Sequence, residues 1–246
     1  MKTLVLSSEV TFVPNNYEEL VIPLADSSHV CGLVLFKNRS FDLLAKALAL
    51  ILLGAAPRFG WTLIKNFFGF SSRRKIRAYQ KHNKNVLVFS SAEDPKLIAW
   101  IKNEKIDLVL NARTRYLFKK ELLQAPRLGC INIHHGLLPL QRGVMCDFWA
   151  HLENTPFGFS IHQMTEKIDA GEILEVVEVS TDRTSYLRSI LAGSKLEAKV
   201  CKEVLEEIAQ ADGIAGRENK RTEHTVYRKN PRFKDFFKMK AIGIKI

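Results

Sequence analysis

Cysteine is scarce in this chain, and so are long apolar runs. The four cysteines among its 246 residues form no C-x-x-C pair, and this usage favours a reducing compartment over a disulfide framework. The longest apolar run is shorter than the roughly 20 residues that a membrane-spanning helix needs. The N-terminal residues MKTLVLSSEV read as a β-strand and not as the apolar core of a signal peptide. We therefore expect a cytoplasmic globular protein.

Acidic residues are missing from one long segment. Between Arg58 and Lys84 there are eight basic residues and no acidic one, and between Ile214 and Ile246 there are ten basic and three acidic. The whole chain carries a formal charge of +11, so the remainder is mildly acidic. Segments of this kind attract phosphate, nucleic acid or an anionic membrane surface. The alternative is a solvated basic helix and a loose tail.

Strand-like and helix-like runs alternate along the chain and predict an α/β fold with a mostly parallel central sheet. Asp94 followed by Pro95 is a predicted helix start. A long amphipathic helix with a break near Gly193 is expected at 184–212. Two further β-type runs, 158–164 and 173–180, are predicted to pair antiparallel at the sheet edge. The apolar runs that predict the buried strands are 3–7, 30–36, 86–89 and 107–112, with 129–133 after a short helix at 117–124.

The last residues, from Gly213, are polar and basic with interspersed aromatics. They are too few for an independent domain of ordinary size. We therefore predict one domain over 1–212 and a basic C-terminal extension over 213–246.

An apolar and aromatic segment at 43–70 stands apart from this pattern. The first interpretation is a core helix in the layer outside the sheet. The second is an interfacial segment, in which an apolar face, Trp61 and the basic run SSRRKIR contact anionic lipid across 43–77. The same segment also suits a partner subunit, and the oligomeric state stays open.

The stretch CINIHHGLLPLQRG places polar side chains that could act in catalysis at the end of a predicted strand. Asn132 and His134 are two residues apart, so their side chains point to the same side of a strand. Asp169 follows in the loop EKIDAGEIL. An amide donor, an imidazole and a carboxylate suit acyl transfer, and with no G-x-S-x-G elbow the nucleophile would belong to the substrate, for example a primary amine. The structural alternative is a hydrogen-bonded histidine. A zinc site is disfavoured, because its possible ligands Cys130, His134, His135 and Asp169 lack the usual spacing.

The region from about Lys84 to Ser180 resembles the core of the 10-formyltetrahydrofolate-dependent formyltransferases, which include the methionyl-tRNA, glycinamide-ribonucleotide and amino-sugar enzymes. The preceding DLVLNARTRYLFKKELLQAPRLG also looks like the family's strand–helix unit. The motif residues that carry the resemblance are Asn132, His134, Leu137, Leu138, Pro139, Arg142, Gly143, Gly158, Ser160, Asp169, Gly171, Ile173 and Leu174.

The resemblance implies a Rossmann-like catalytic domain with helices on both faces of the sheet and an antiparallel edge. It implies catalytic roles for Asn132, His134 and Asp169, with 10-formyltetrahydrofolate as the co-substrate and no metal. His135 falls at a variable position and is expected to be a neighbour of the site. The residues implied to bind folate are Arg115, Leu117, Thr165, Glu166, Lys167 and Ile168.

Two departures from the family bear on the acceptor. Gly136 replaces the motif serine, which removes a hydroxyl and is expected to loosen the turn. The loop SSEVTFVPNN lacks the glycine-rich turn that cradles phosphate in the purine enzyme, which disfavours glycinamide ribonucleotide.

We therefore expect a phosphorylated or nucleotide-linked amino sugar as the acceptor, with methionyl-tRNA second. A formyltetrahydrofolate hydrolase and a non-catalytic folate- or nucleic-acid-binding relative remain as alternatives.

Overall fold

A central sheet organises the structure, a computed structural model that describes residues 1–180 and 183–246. Strands β1 to β5 pair in parallel, and β7 and β8 continue the sheet antiparallel, in the spatial order 3-2-1-4-5-7-8. The predicted sheet and its antiparallel edge are confirmed. The strands are β1 (Thr3–Ser8), β2 (Val30–Phe36), β3 (Asn85–Phe89), β4 (Leu108–Asn111), β5 (Gly129–His134), β6 (Gln141–Gly143), β7 (Gly158–Gln163), β8 (Ile173–Glu178) and β9 (Val226–Arg228).

Helices cover both faces of this sheet, as predicted. Alternate residues of β5 separate the two layers: Ile131 and Ile133 face one apolar cluster and Cys130 faces the other. The helices are α1 (Glu18–Val21), α2 (Phe41–Leu52), α3 (Pro57–Phe68), α4 (Ser71–Lys81), α5 (Pro95–Asn103), α6 (Lys120–Leu123), α7 (Cys146–Leu152), α8 (Tyr186–Ala211) and α9 (Phe233–Ala241), with short 3-10 turns at Pro14–Tyr17 and Pro23–Asp26.

Helix α5 begins where the sequence predicts. The Asp94 side chain accepts a hydrogen bond from the Lys96 backbone at 2.9 Å, and this satisfies one of the open N–H groups of the first turn. Helix α6 is shorter than the predicted 117–124. Its upstream residues stay extended because the Tyr116 hydroxyl is bonded to the Ser90 carbonyl at 2.7 Å and Phe118 is buried in the core.

The predicted break in α8 at Gly193 is wrong. The helix runs without interruption from Tyr186 to Ala211, and Gly193 is on its buried face. A glycine inside a helix costs only about 1 kcal/mol relative to alanine. The apolar burial along the inner face outweighs that cost.

The prediction of one core helix within 43–70 is also wrong. The chain forms two helices, α2 and α3, and reverses direction between them at Gly54, whose φ is +65°. Their inner faces are buried through residues such as Leu50 and Leu63, whereas Phe41 is 92% exposed and Leu52 is 83% exposed. Among the helices described, none has the length and apolar character to cross a membrane.

The basic tail packs against the sheet domain. Strand β9 pairs in parallel with β6, and Phe236 of α9 packs edge-on against Phe59 and Phe148. The tail is therefore not loose. The domain boundary at residue 212 remains a prediction.

A buried polar cluster lies on the α8 side of the sheet. Arg113 forms an ion pair with Glu197, and His135 Nδ1 is 3.2 Å from the Asp147 carboxylate. Burial alone would raise the pKa of Glu197, but Arg113 and His135 outweigh it and hold that pKa below its usual value. Since His134 and His135 are adjacent in an extended segment, they point to opposite sides, and His135 joins this cluster instead of the site.

Replacing Glu197 with glutamine should destabilise the protein strongly. The substitution leaves Arg113 as a buried charge without its carboxylate, a loss of about 3–5 kcal/mol in comparable buried pairs. The free energy of unfolding, measured with urea, tests this. The control is Glu203→Gln on the exposed face of the same helix, where the pair with Lys199 is worth less than about 1 kcal/mol. Equal effects of the two variants would contradict the account of the cluster.

Candidate active site

Three predicted residues converge on one face of the sheet. Asn132 and His134 project from the end of β5, and the β7–β8 loop brings Asp169 onto the same face. His134 Nδ1 is 3.4 Å from Asp169 Oδ1, and both side chains are buried. The arrangement joins an amide, an imidazole and a carboxylate in one small volume, and the roles of the three residues remain predictions.

His162 also belongs to this constellation, although it is not among the residues that the sequence predicts. The antiparallel pairing of β5 and β7 places His162 directly opposite Asn132. Asn132 Nδ2 is 3.1 Å from His162 Nε2, and that nitrogen is 3.7 Å from Asp169 Oδ1. A signal was present, because Ser160 and His162 alternate along GFSIHQM in the same way as Asn132 and His134.

The backbone determines which nitrogen of His134 carries a hydrogen. His134 Nε2 is 2.7 Å from the Gln141 carbonyl oxygen. A carbonyl only accepts hydrogen bonds, so Nε2 is the donor. Burial lowers the pKa of His134, and the Asp169 carboxylate opposes this effect only in part. The lowered pKa favours the neutral imidazole near pH 7, in which Nδ1 carries no hydrogen and lies 3.4 Å from Asp169 Oδ1.

The same reasoning shows which ring nitrogen of His162 carries the hydrogen. Its Nδ1 is 2.8 Å from the Gln163 carbonyl oxygen, so Nδ1 is the donor and Nε2 accepts from the Asn132 amide. Burial, and then the neighbouring His134, lower the pKa of His162 to about 4. His162 is therefore an uncharged acceptor that orients the Asn132 side chain.

Backbone contacts hold Asp169 in place. Its φ is +51°, a left-handed conformation that is uncommon outside glycine. The Gly143 backbone donates to Oδ2 at 2.8 Å, and the buried Arg142 donates to the Asp169 carbonyl at 2.8 Å. Asn219 of the tail donates to that carbonyl at 3.0 Å and also accepts from Arg142. Nothing in the sequence pointed to Asn219, because its contact depends on how the tail folds back.

Gly136 does not loosen the turn after β5, contrary to expectation. The Ser160 hydroxyl donates to the Gly136 carbonyl at 2.7 Å and accepts from the Leu138 backbone at 2.9 Å. A Cβ at Gly136 would lie 2.7 Å from His134 Nε2 and 2.9 Å from Cys146 Cβ. The glycine is therefore required by the position of the His134 ring.

The residues predicted to bind folate are located on two exposed loops. Arg115 and Leu117 are in the β4–α6 loop, and 165–168 form part of the loop that carries Asp169. Leu117 and Ile168 are 67% and 52% exposed. Within the described chain, no hydrogen bond joins either group to the three central side chains, so their folate role stays a prediction. The described residues also contain no group of three or more potential ligands placed to hold a metal ion.

Comparison with known proteins identifies the family. A family model described as formyl transferase matches residues 71–205, more than half of the chain. The chain belongs to the formyl transferase family. The matched region contains the four central side chains of the site and the buried Arg142.

Curated relatives of the chain include bacterial methionyl-tRNA formyltransferases. The protein from Geobacillus sp. (strain WCH70) is 36% identical over 128 residues, covering 50% of this chain and 40% of that protein. The Bacillus subtilis (strain 168) protein is 35% identical over 107 residues, covering 41% of this chain and 34% of the relative. The matches thus span well under half of these relatives' lengths.

Solved structures support the fold. A sugar N-formyltransferase from Shewanella sp FDAARGOS_354 superimposes with a TM-score of 0.58 at 20% identity, covering 93% of this chain and 76% of that one. A phosphoribosylglycinamide formyltransferase from Anaplasma phagocytophilum gives a TM-score of 0.60 at 18% identity, covering 93% and 99%. At such identities the likeness concerns the fold alone.

Substituting alanine for Gly136 should destabilise the protein. The added methyl group meets the His134 ring and the Gln141 carbonyl, and overpacking of this kind costs about 1–3 kcal/mol. Urea denaturation measures the change. Gly213→Ala is the matched control because its Cβ would meet only one atom, at 3.8 Å. A Gly136→Ala variant as stable as the control would refute the steric argument.

Proposed function

We propose that this protein transfers a formyl group from 10-formyltetrahydrofolate to a primary amine, using Asn132, His134 and Asp169. The observation that carries the proposal is geometric: His134 Nε2 is bonded to the Gln141 carbonyl, and His134 Nδ1 lies 3.4 Å from Asp169 Oδ1. Membership of the formyl transferase family supports it.

His134 acts as the proton acceptor at Nδ1. An amine that attacks the formyl carbon must lose a proton, and a neutral imidazole within reach accepts it. The imidazolium that results is stabilised by Asp169, because an opposite charge a few ångströms away favours the charged form. The proton then moves to the folate nitrogen that leaves. Thus His134 is neutral at the start of the reaction and charged during it.

Asn132 stabilises the negative charge that develops on the formyl oxygen. One of its two amide hydrogens is committed to His162, and within the described residues the other has no protein acceptor. A fixed donor of this kind contributes about 3–4 kcal/mol in comparable sites. His162 fixes the amide, because its Nε2 accepts only from the nitrogen side of the Asn132 side chain.

We assign the folate to the two exposed loops. The co-substrate supplies the formyl group, and its pterin is a flat ring with polar edges. Leu117 and Ile168 offer apolar contact to such a ring, while Arg115 and the backbone of 165–167 offer hydrogen bonds to its edges. Binding between these loops would bring the formyl group to the face that carries Asn132 and His134.

A phosphorylated or nucleotide-linked amino sugar is the acceptor class we propose. Asn219, which contacts the Asp169 carbonyl, is followed in the chain by the exposed Lys220 and Arg221, and such positive charge would attract a phosphate group. The loop after β1 is closed by the buried Asn16, whose amide bonds Thr11 and Glu9, in place of a glycine-rich phosphate cradle. Methionyl-tRNA is the second candidate, on the evidence of the curated relatives.

An acceptor screen tests this function. The protein is incubated with 10-formyltetrahydrofolate and, separately, a nucleotide-linked 4-amino sugar, an amino-sugar phosphate or methionyl-tRNA, and mass spectrometry detects the added formyl group. His134→Ala should lower the turnover about 10²–10⁴-fold, whereas His224→Ala, at an exposed tail position, should leave it unchanged.

The other outcomes separate the alternatives. Formyl-folate hydrolysis without an amine identifies a hydrolase, and folate binding without turnover identifies a non-catalytic relative. Formylation of tRNA, with binding that weakens steeply as salt increases, replaces the amino-sugar proposal by the tRNA one. Full activity of His134→Ala would remove the proposed role of that residue.

The pH profile tests the protonation state of His134. Because burial lowers its pKa, kcat/KM should stay high down to pH values below 6.5 and fall only when His134 becomes protonated. Asp169→Asn removes the charge that raises this pKa, so the acid limb should move to lower pH while the plateau falls about 10²–10⁴-fold. Measurements of kcat/KM from pH 5 to 8, for the unmodified protein and for Asp169→Asn, test this expectation. An acid limb displaced to higher pH in Asp169→Asn would contradict the assignment.

A further inference from the structure

The outward face of α2 is apolar and has no partner within the described chain. Phe41, Ala45, Leu48 and Leu52 follow an i, i+4, i+7, i+11 pattern, so they form one stripe along the helix. Phe41, Leu48 and Leu52 are 92%, 44% and 83% exposed, and Ala45 is exposed as well. A stripe of large exposed apolar side chains of this length indicates an interaction surface.

The outward face of α3 combines aromatic and basic residues. Arg58, Trp61, Lys65 and Phe68 follow an i, i+3, i+7, i+10 pattern, and all four are exposed. Tryptophan and long basic side chains suit an interface that is apolar on one side and wet on the other. We call the outward faces of α2 and α3 together the hairpin surface.

Positive charge predominates around the hairpin surface. From residue 43 to residue 84 the sequence contains no acidic residue. Helix α4 adds the exposed Arg73, Arg77 and Lys81, and the Arg73 guanidinium lies 5.1 Å from the centre of the Phe70 ring. The nearby Asp42 is paired with Lys46 at 2.7 Å. The charge of this surface therefore favours an anionic partner.

The hairpin surface is held rigidly by the fold. The Asn66 amide donates to the carbonyls of Thr11 and Val13 at 2.8 and 2.7 Å, and Phe59 stacks on Phe12 with ring centres 4.5 Å apart. The inner side chains of α2 and α3 are thus committed to the core. The outer ones do not need to reorganise to bind.

We propose that the hairpin surface docks onto an anionic lipid bilayer, with α2 and α3 lying in the plane of the interface. A bilayer offers both negatively charged headgroups and apolar depth. A nucleic acid offers the charge but exposes no comparable apolar surface to Phe41 and Leu52. A second copy of the same surface offers apolar contact but brings like charges together. Each helix, with 12 residues and a length of about 18 Å, is too short to cross the apolar core.

Vesicle flotation with the full chain tests this inference without any assay of activity. The protein should float with vesicles of phosphatidylcholine and phosphatidylserine, float much less with phosphatidylcholine alone, and be released as salt increases. Arg58→Gln/Lys65→Gln should lower the partition coefficient for the anionic vesicles by about tenfold or more. Leu52→Gln/Trp61→Gln should lower it by about fivefold or more.

Matched controls are available on the opposite side of the sheet. Lys96→Gln/Lys102→Gln removes two exposed charges from α5, and Leu117→Gln removes one exposed leucine from the β4–α6 loop. These variants should float like the unmodified protein. Urea denaturation of every variant shows that each is folded.

Three results would overturn the proposal. The first is failure of the folded, unmodified protein to float with the anionic vesicles. The second is equal loss of flotation in the hairpin variants and the controls. The third is a dimer, seen by analytical ultracentrifugation, that Leu52→Gln/Trp61→Gln dissociates, because the hairpin surface would then be covered by a second copy.

Discussion

The hydrogen bond between His134 and the Gln141 carbonyl fixes the geometry at the centre of the candidate site. It fixes the hydrogen on Nε2 and leaves Nδ1 free to face Asp169. The bonded His134 ring and Gln141 carbonyl also occupy the space that a side chain at residue 136 would need, which explains the glycine there. One contact between a side chain and the backbone thus links the identity of a loop residue to the protonation state of a catalytic candidate.

Antiparallel pairing at the sheet edge brings the residues of β7 that support Asn132 and His134 into place. Because β7 runs against β5, His162 is opposite Asn132 and Ser160 is opposite His134. These two β7 residues stabilise different parts of the site. His162 orients the Asn132 amide, and the Ser160 hydroxyl bonds the backbone of the turn after β5. A parallel neighbour would not return the chain to this face with so short a connection, since parallel strands need long crossovers.

The sequence predicted the parts of the structure that depend on local pattern. Alternation predicted that Asn132 and His134 share a face, and Asp94 predicted the start of α5. Contacts that join distant segments were not predictable in the same way. The pair of Arg113 with Glu197 and the contact of Asn219 with Asp169 depend on the folded path of the chain. The reversal near Gly54 was missed because the flanking apolar residues continue on both sides of it.

Asn219 has a consequence for the order in which the protein takes shape during synthesis. The ribosome produces β1 to β8 before it produces residue 219. Arg142, however, obtains the Asn219 oxygens, and the Asp169 carbonyl obtains the Asn219 amide, only after the tail has emerged and folded back. These contacts, which hold Arg142 and Asp169 in place, are therefore among the last that the new chain can form.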